Sequence, residues 1–384
     1  MQLRLIVALA LASIAAPALA QLVVSANDNK QVLVDGVPTP VPAAAPATAA
    51  LIDLGQSPPR VLAELDVPVA SPAGPPATVA LTPDEGLALI AGGMKVHPTN
   101  PAALAPETRV AVLDLKAQPP RVAGTVEVGA QPTGIAITPD GKLALVANRS
   151  DGTVSVLTID GTAVTRTDTL KLGDEKSGPS GVAITPDGKT ALVTRDGDHL
   201  VTVLSIEGGR VELARRDITT GLRPYGVAVS PSGRLAVVAN LGRGAGDTDT
   251  LSVIDLSRRP YRAVETLSVG QTPEGLAFSH DGRFLAVVVM NGSNKPKASP
   301  FFNDAGKLLV LRVDGLRLVA VAEAPIGHWS QGVVFSRDGK RLLVQNMVEK
   351  DLWVFAFDGT RLEETGPRIK LRGGAAAIGM AGLR

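Results

Sequence analysis

Apolar and polar residues alternate with a period of two in short runs along nearly the whole chain, the spacing expected of half-buried β-strands. Thr153-Val-Ser-Val-Leu-Thr-Ile-Asp160 is the clearest such run. The runs are bounded by Gly, Pro, Asn and Asp, and none gives way to the 3.6-residue stripe of an amphipathic helix. The pattern predicts an all-β chain of many short strands.

The runs recur as a block. Pro132-Thr-Gly-Ile-Ala-Ile-Thr-Pro-Asp-Gly-Lys-Leu-Ala-Leu-Val-Ala-Asn148 returns as Pro179-Ser-Gly-Val-Ala-Ile-Thr-Pro-Asp-Gly-Lys-Thr-Ala-Leu-Val-Thr-Arg195. It returns again over 224–240, and weaker copies begin at Pro76, Pro273 and Ser330. The turn residues Pro83, Pro139, Pro186, Pro231, His280 and Arg337 fall about 45 to 57 residues apart, the period of four-stranded propeller blades. Each block predicts a first strand, a Pro-Asp-Gly turn whose glycine admits positive φ, a second strand and an alternating third. A more polar fourth strand, such as Val164 to Leu170, forms the exposed edge. A second repeat marks the turn between the last two strands: Leu51-Ile-Asp-Leu-Gly-Gln-Ser-Pro-Pro-Arg-Val61 is matched by 112–122 and by 253–262. Proline is tolerated there because the ladder no longer needs its N–H.

First-strand patterns occur six times within the chain, and a seventh, Gly374-Ala-Ala-Ala-Ile-Gly-Met-Ala381, lies near its C-terminus. Leu22-Val-Val-Ser-Ala-Asn27 opens instead with a second-strand pattern. One C-terminal strand and three N-terminal ones therefore complete a blade, giving a seven-bladed β-propeller with antiparallel four-stranded blades and 1+3 closure. Closing the ring removes the free sheet edges that an open array would expose.

The second-strand ends Leu145-Val-Ala-Asn148, Ala191-Leu-Val-Thr-Arg195, Val237-Val-Ala-Asn240 and Leu343-Val-Gln-Asn346 resemble the YVTN family of bacterial and archaeal propeller repeats. The namesake tyrosine is replaced by Leu or Val throughout. The resemblance spans almost all of the chain after residue 20 and implies the propeller fold. Its relatives include surface-layer components and lactonase-like and haem-carrying proteins, so it implies no single function.

Strand direction puts the loop after each second strand on one face of the ring. Every long insertion falls in that class: residues 28–47, 92–108, 241–250 and 290–306. Loops displayed by a rigid scaffold commonly carry function, and random drift would not choose one face. Strand ends on this face converge on the channel mouth and bring Gln131, Asn148, Arg195, Arg223, Tyr225, Asn240, Gln271, Glu274, His328, Trp329, Gln331 and Asn346 there. The three asparagines recur at one register and read as braces of the blade turns. Arg195, Arg223, Tyr225, Glu274, His328 and Trp329, with Asn346, form the candidate ligand site: donors for an anion or carbonyl, with Trp329 as a stacking surface.

Composition narrows the classes. The first twenty residues carry Arg4, an apolar run from Leu5 to Ala16, and Ala18-Leu19-Ala20, the form of a cleaved secretory leader. The protein is therefore expected to be periplasmic or secreted, with residues 21–384 as one propeller domain. Without cysteine there is neither a disulfide framework nor a thiolate site. Once Arg4 leaves with the leader, acidic and basic residues balance, so no electrostatic footprint for nucleic acid is expected, and no membrane insertion. The chain reads as a monomer.

No nucleophile elbow, His-Glu-x-x-His or Cys-x-x-Cys-His motif is present. Four histidines spread over different blades do not predict zinc. Asp247 and Asp249 offer the oxygens calcium uses, although a solvated Gly-rich loop is the simpler account, and no cofactor is expected. The first reading is a binding propeller that engages a ligand or protein partner on the insertion-bearing face. The alternatives are a lactonase-like hydrolase, with Glu274 as base and Arg223 or His328 at an oxyanion, and a structural cell-envelope component.

Overall fold

The structure is a computed structural model that describes residues 21–71 and 76–382; the leader expected over 1–20 lies outside the described residues. Seven four-stranded antiparallel blades surround a central axis. Blades 1 to 6 follow in chain order over 79–127, 132–171, 179–219, 224–270, 273–326 and 330–370. In blade 7 the innermost strand, Gly374–Met380, pairs antiparallel with Leu22–Asp28, which pairs with Ala47–Asp53, and that strand pairs with Arg60–Val67. The 1+3 closure is as expected from the sequence.

Period-two alternation builds the core between blades. In the second strand of blade 2, Leu143, Leu145 and Ala147 pack toward Val182, Val193 and Leu204 of blade 3. Ala144 and Val146 pack the other way, onto Leu89, Val110 and Val112 of blade 1. Second strands are accordingly buried along all or nearly all of their length, as in Leu143–Asn148, whereas the outer strand Ala163–Lys171 is mostly exposed. The expected Pro-Asp-Gly turn forms, but its hydrogen bonds belong to the residues around the proline. Thr138 Oγ1 donates to Asp140 Oδ1 at 2.6 Å and accepts the Leu143 N–H at 3.1 Å. Ser279 with Asp281, and Ser336 with Asp338, repeat the pattern where His280 and Arg337 replace proline. The outer turn is likewise closed by aspartate. Asp53, Asp114 and Asp255 accept backbone N–H groups two residues on, ahead of a cis-proline in each copy.

The axis is narrow because of one recurring glycine. A Cβ on Gly134 would lie 2.3 Å from the Ser180 carbonyl oxygen; on Gly181, 2.4 Å from that of Tyr225. On Gly226 it would lie 2.6 Å from the Glu274 oxygen, and on Gly275, 2.4 Å from that of Gln331. No side chain fits between adjacent innermost strands there, so their backbones meet directly.

The insertions expected on one face form two hairpins, Gln31–Val34 with Val37–Pro40 and Met94–Val96 with Leu104–Pro106, and two loops. Three of them interlock. The tip of the first hairpin meets the blade 5 loop, where Asp35 accepts the Lys297 N–H at 3.1 Å and Gly36 lies against Lys295 and Pro296. Lys295 Nζ then donates to the Gly244 carbonyl of the blade 4 loop at 2.8 Å, and Phe301 lies against Gly246. Beneath the hairpin, Leu33 packs on Met290, Trp329 and Met347. The result is a cap over blades 4 to 7 that leaves the side of blades 2 and 3 uncovered by an insertion.

Gly134→Ala should destabilise the protein by about 1–3 kcal/mol through overpacking. Gly124→Ala, where a Cβ meets nothing within 4 Å, should be neutral or stabilising by up to about 1 kcal/mol. Denaturant midpoints compare the two. Truncation after Gly373 leaves Leu22–Asp28 without its inner partner and should lower the calorimetric transition by roughly ten degrees or abolish it; an unchanged transition would refute ring closure as the source of stability.

Candidate active site

In each innermost strand one residue separates the leading position, usually proline, from the glycine register. In blades 2 to 6 these are Thr133, Ser180, Tyr225, Glu274 and Gln331; Ala77 and Ala376 stand there in blades 1 and 7. Small residues on one side of the ring and Tyr225, Glu274 and Gln331 on the other make the channel asymmetric.

The last residue of each second strand does not face this channel. Asn148 Nδ2 donates to Thr153 Oγ1 and Ser155 Oγ, each at 2.9 Å, and Asn240 does the same to Thr250 and Ser252 at 3.0 Å. Asn346 accepts from the Gly327 N–H at 2.9 Å and from Ser330 Oγ at 2.7 Å. Arg195 at the same register pairs with Asp198, with Asp217 at 3.5 Å and with Thr202 at 3.3 Å. These side chains hold the end of the blade. The following residue turns to the channel mouth instead, and there sequence reading missed Arg149 and Asp196. They occupy a register that holds Leu241, Met290 and Met347 in blades 4 to 6, a departure from the repeat that is visible in the sequence once the register is known.

Arg149, Asp196, Arg223, Tyr225 and Glu274 form one cluster. Arg149 donates to Ser180 Oγ and to Asp196 Oδ2, the latter at 2.6 Å, and its Cζ lies 5.8 Å from the Tyr225 ring centroid. Arg223 approaches Asp196 at 3.7 Å with a side chain 40% exposed, so its guanidinium is still available to a ligand. Its backbone has φ +56° and its N–H donates to His199 Nδ1 at 3.2 Å, which fixes the loop that presents it. Glu274 is 6% exposed, and its Oε2 has no hydrogen-bond partner among the described residues. It lines a channel cavity of about 110 Å³. Burial pushes its carboxyl up to about 8, against the pull of Arg223 and then Arg149. Burial, and next the Glu274 carboxylate, likewise raise the Tyr225 hydroxyl.

The other candidates lie elsewhere. His328 Nδ1 is 2.7 Å from Glu349 Oε1, and its Nε2 is 3.2 Å from Asp304 Oδ1. Burial works against the charged imidazole, but these two carboxylates outweigh it and raise its pKa. Trp329 is 7% exposed and packs under the first hairpin, so its ring is core rather than a free stacking surface. Gln131 accepts from Ser150 at 2.7 Å, and Gln271 donates to the Phe301 carbonyl at 3.3 Å. Asp249 accepts the Thr272 N–H at 2.8 Å, joining blade 4 to blade 5. Among the described residues no group of three or more His, Cys, Asp or Glu side chains comes together to hold a metal ion.

Because folding raises the Glu274 pKa, the native state keeps a proton that the unfolded chain releases between about pH 4.5 and 8, and stability falls as pH rises through that window. Glu274→Gln removes this loss. At pH 8.5 the variant should be more stable than the parent, by on the order of a few kcal/mol, with the difference shrinking toward zero near pH 4; urea midpoints at the two pH values measure it.

The chain is similar to solved structures over most of its length. A candidate 6-phosphogluconolactonase from Bacteroides fragilis is 16% identical over 95% of this chain and 99% of its own, with a TM-score of 0.71. The Pseudomonas aeruginosa periplasmic gluconolactonase is 18% identical over 95% and 99%, with a TM-score of 0.67. The Kuenenia stuttgartiensis hydrazine synthase is 24% identical over 76% and 79%, with a TM-score of 0.58. At these identities the likeness is one of fold. No curated protein sequence matches. Residues 115–257, which include Arg149, Asp196, Arg223 and Tyr225, match the family model of the lactonase seven-bladed β-propellers.

Proposed function

We propose that the protein is a lactonase-like hydrolase that opens a small ring ester at the channel mouth, and that it works outside the cytoplasm. The observation that carries the reading is Glu274: a buried carboxyl with an unpartnered oxygen, lining a cavity and acted on by two guanidiniums. Amide oxygens of Asn148 and Asn240 are also left without a partner, but Glu274 is the one carboxyl so placed among the described residues, and an unsatisfied buried acceptor costs about 1–3 kcal/mol. The match of 115–257 to lactonase propellers and the fold shared with proteins named as gluconolactonases support it. The leader-like first twenty residues, and the periplasmic location named for one of those neighbours, support export.

In this reading the Glu274 carboxylate takes a proton from water as the oxygen attacks the lactone carbonyl. Arg223, the partly exposed guanidinium, faces the oxyanion that forms. Arg149 keeps Asp196 and the Tyr225 ring in place and adds positive charge near the reaction. When the ring C–O bond breaks, the protonated Glu274 returns its proton to the leaving alkoxide, and a hydroxy acid is released. His328, engaged by Glu349 and Asp304, has no part. A binding role without turnover is the second reading; the interlocked cap favours it, since Val34, Val37 and Phe301 stand exposed around its contacts.

Against a panel of γ- and δ-lactones, kcat/KM should rise with pH through about 8, as the base form of Glu274 appears. Glu274→Gln should lose about 10²–10⁴-fold and Arg223→Ala about 10²–10³-fold, while His328→Ala stays within a few-fold. Hydrolysis that is unchanged in Glu274→Gln would remove the reading. Saturable lactone binding with no turnover at any pH would favour the binding role.

A further inference from the structure

The cavity beside Glu274 has one polar side chain, Glu274 itself. Ala77, Val79, Val227, Leu276, Val333 and Ile378 line it from blades 1, 4, 5, 6 and 7, with only glycine and Pro76 between them. The charged groups, Arg149, Asp196 and Arg223, lie at the mouth, where the insertion-free blades 2 and 3 adjoin blade 4. The side chains therefore change character at the Glu274 carboxyl: charged outside, uncharged and apolar inside, with backbone groups between them. A polyhydroxylated ring pushed past Glu274 would find only the backbone groups beside the glycines for its hydroxyls, and each hydroxyl left unpaired would cost about 1–3 kcal/mol. A short hydrocarbon chain would meet no such penalty and would gain contact with the lining.

We propose that the site takes lactones, and the corresponding hydroxy acids, that carry a short alkyl substituent, with the carbonyl or carboxylate at Arg223 and the alkyl group in the channel below Glu274. At about 110 Å³, with close to 30 Å³ for each water-sized unit, there is room for roughly three to four non-hydrogen atoms. The chain-length optimum is set by that volume. The hydrolytic reading supplies only the chemistry; the recognition rests on the lining and stands whether or not the ester is cleaved.

Two series test it on the full chain. By calorimetry at pH 6.5, where Glu274 is protonated and can donate to a bound carboxylate, sodium acetate, propionate, butyrate and valerate should bind progressively tighter. The expected gain is about fourfold per methylene, levelling off beyond three or four added atoms. In turnover, kcat/KM should climb in the same way from γ-butyrolactone through γ-valerolactone to γ-heptalactone, and all should exceed glucono-δ-lactone. Ala77→Leu, which fills the cavity from the small side of the ring, should flatten both series; its melting transition, measured alongside, shows that the ring is intact. A graded alkanoate affinity with no hydrolysis would leave the cavity assignment standing and overturn the lactonase reading. Hydrolysis with a flat chain-length series, or with glucono-δ-lactone preferred, would do the reverse.

Discussion

Direct contact between neighbouring backbones at the axis is the constraint on which the rest of the structure depends. Gly134, Gly181, Gly226 and Gly275 let the innermost strands of blades 2 to 5 lie against the carbonyl of the next. That approach sets the radius of the ring, and the radius sets how many blades close it. It also decides what the channel can hold. With the strands this close, the side chain one residue before this register either borders the axis, as Glu274 does, or turns onto the neighbouring strand, as Thr133 does onto the Pro179 and Ser180 carbonyls. Ala77, Thr133, Ser180 and Ala376 leave space; Tyr225, Glu274 and Gln331 occupy it. The site arises where the space and the chemistry meet.

The insertions act on the same asymmetry from above. The first hairpin reaches from blade 7 to the loop of blade 5, and that loop reaches to blade 4, by way of Asp35, Lys295 and Lys297. Leu33 seals the underside on Trp329 and Met347. A cap that covers only part of the ring leaves the other side, where Arg149, Asp196 and Arg223 stand, free of insertions, and in the proposed reading that side is the way in. The faced distribution of insertions thus has a mechanical meaning that does not require each loop to touch a ligand.

The fold was legible in the sequence because repetition over-determines it. Blade count, closure, insertion positions and turn locations could each be read from the chain, since the same block recurs with its turns in register. The site was legible only in part. Arg223, Tyr225 and Glu274 are legible because the start of each first strand converges on the channel mouth, and Glu274 also breaks the repeat there. Arg149 and Asp196 were missed by one residue, because the last residue of the second strand was taken to face the channel. The backbone turns there, so that Asn148, Asn240 and Asn346 reach sideways to the third strand or the preceding link, and the next side chain takes the mouth. One residue of register is beyond the resolution of a pattern read without coordinates. Trp329 and His328 also break the repeat, but for packing and for ion pairs with Glu349 and Asp304. Departure from a repeat locates special residues without distinguishing a site from a patch of core.

What separates them is whether the group's needs are met. His328 has both ring nitrogens engaged, Arg195 has carboxylates and a hydroxyl, and Asn346 has donors and an acceptor. Glu274 alone among the titratable candidates is buried with an oxygen left without a partner, beside positive charge that only partly offsets its burial. A propeller of this size gains stability from seven inter-blade cores and can bear one such unfavourable group without unfolding. Such a residue costs stability in the resting protein, and in the proposed reading a ligand at the channel mouth offsets that cost. For a carboxyl with an ionic mouth on one side and a cavity of apolar side chains on the other, the proposed partner is polar at one end and hydrocarbon at the other.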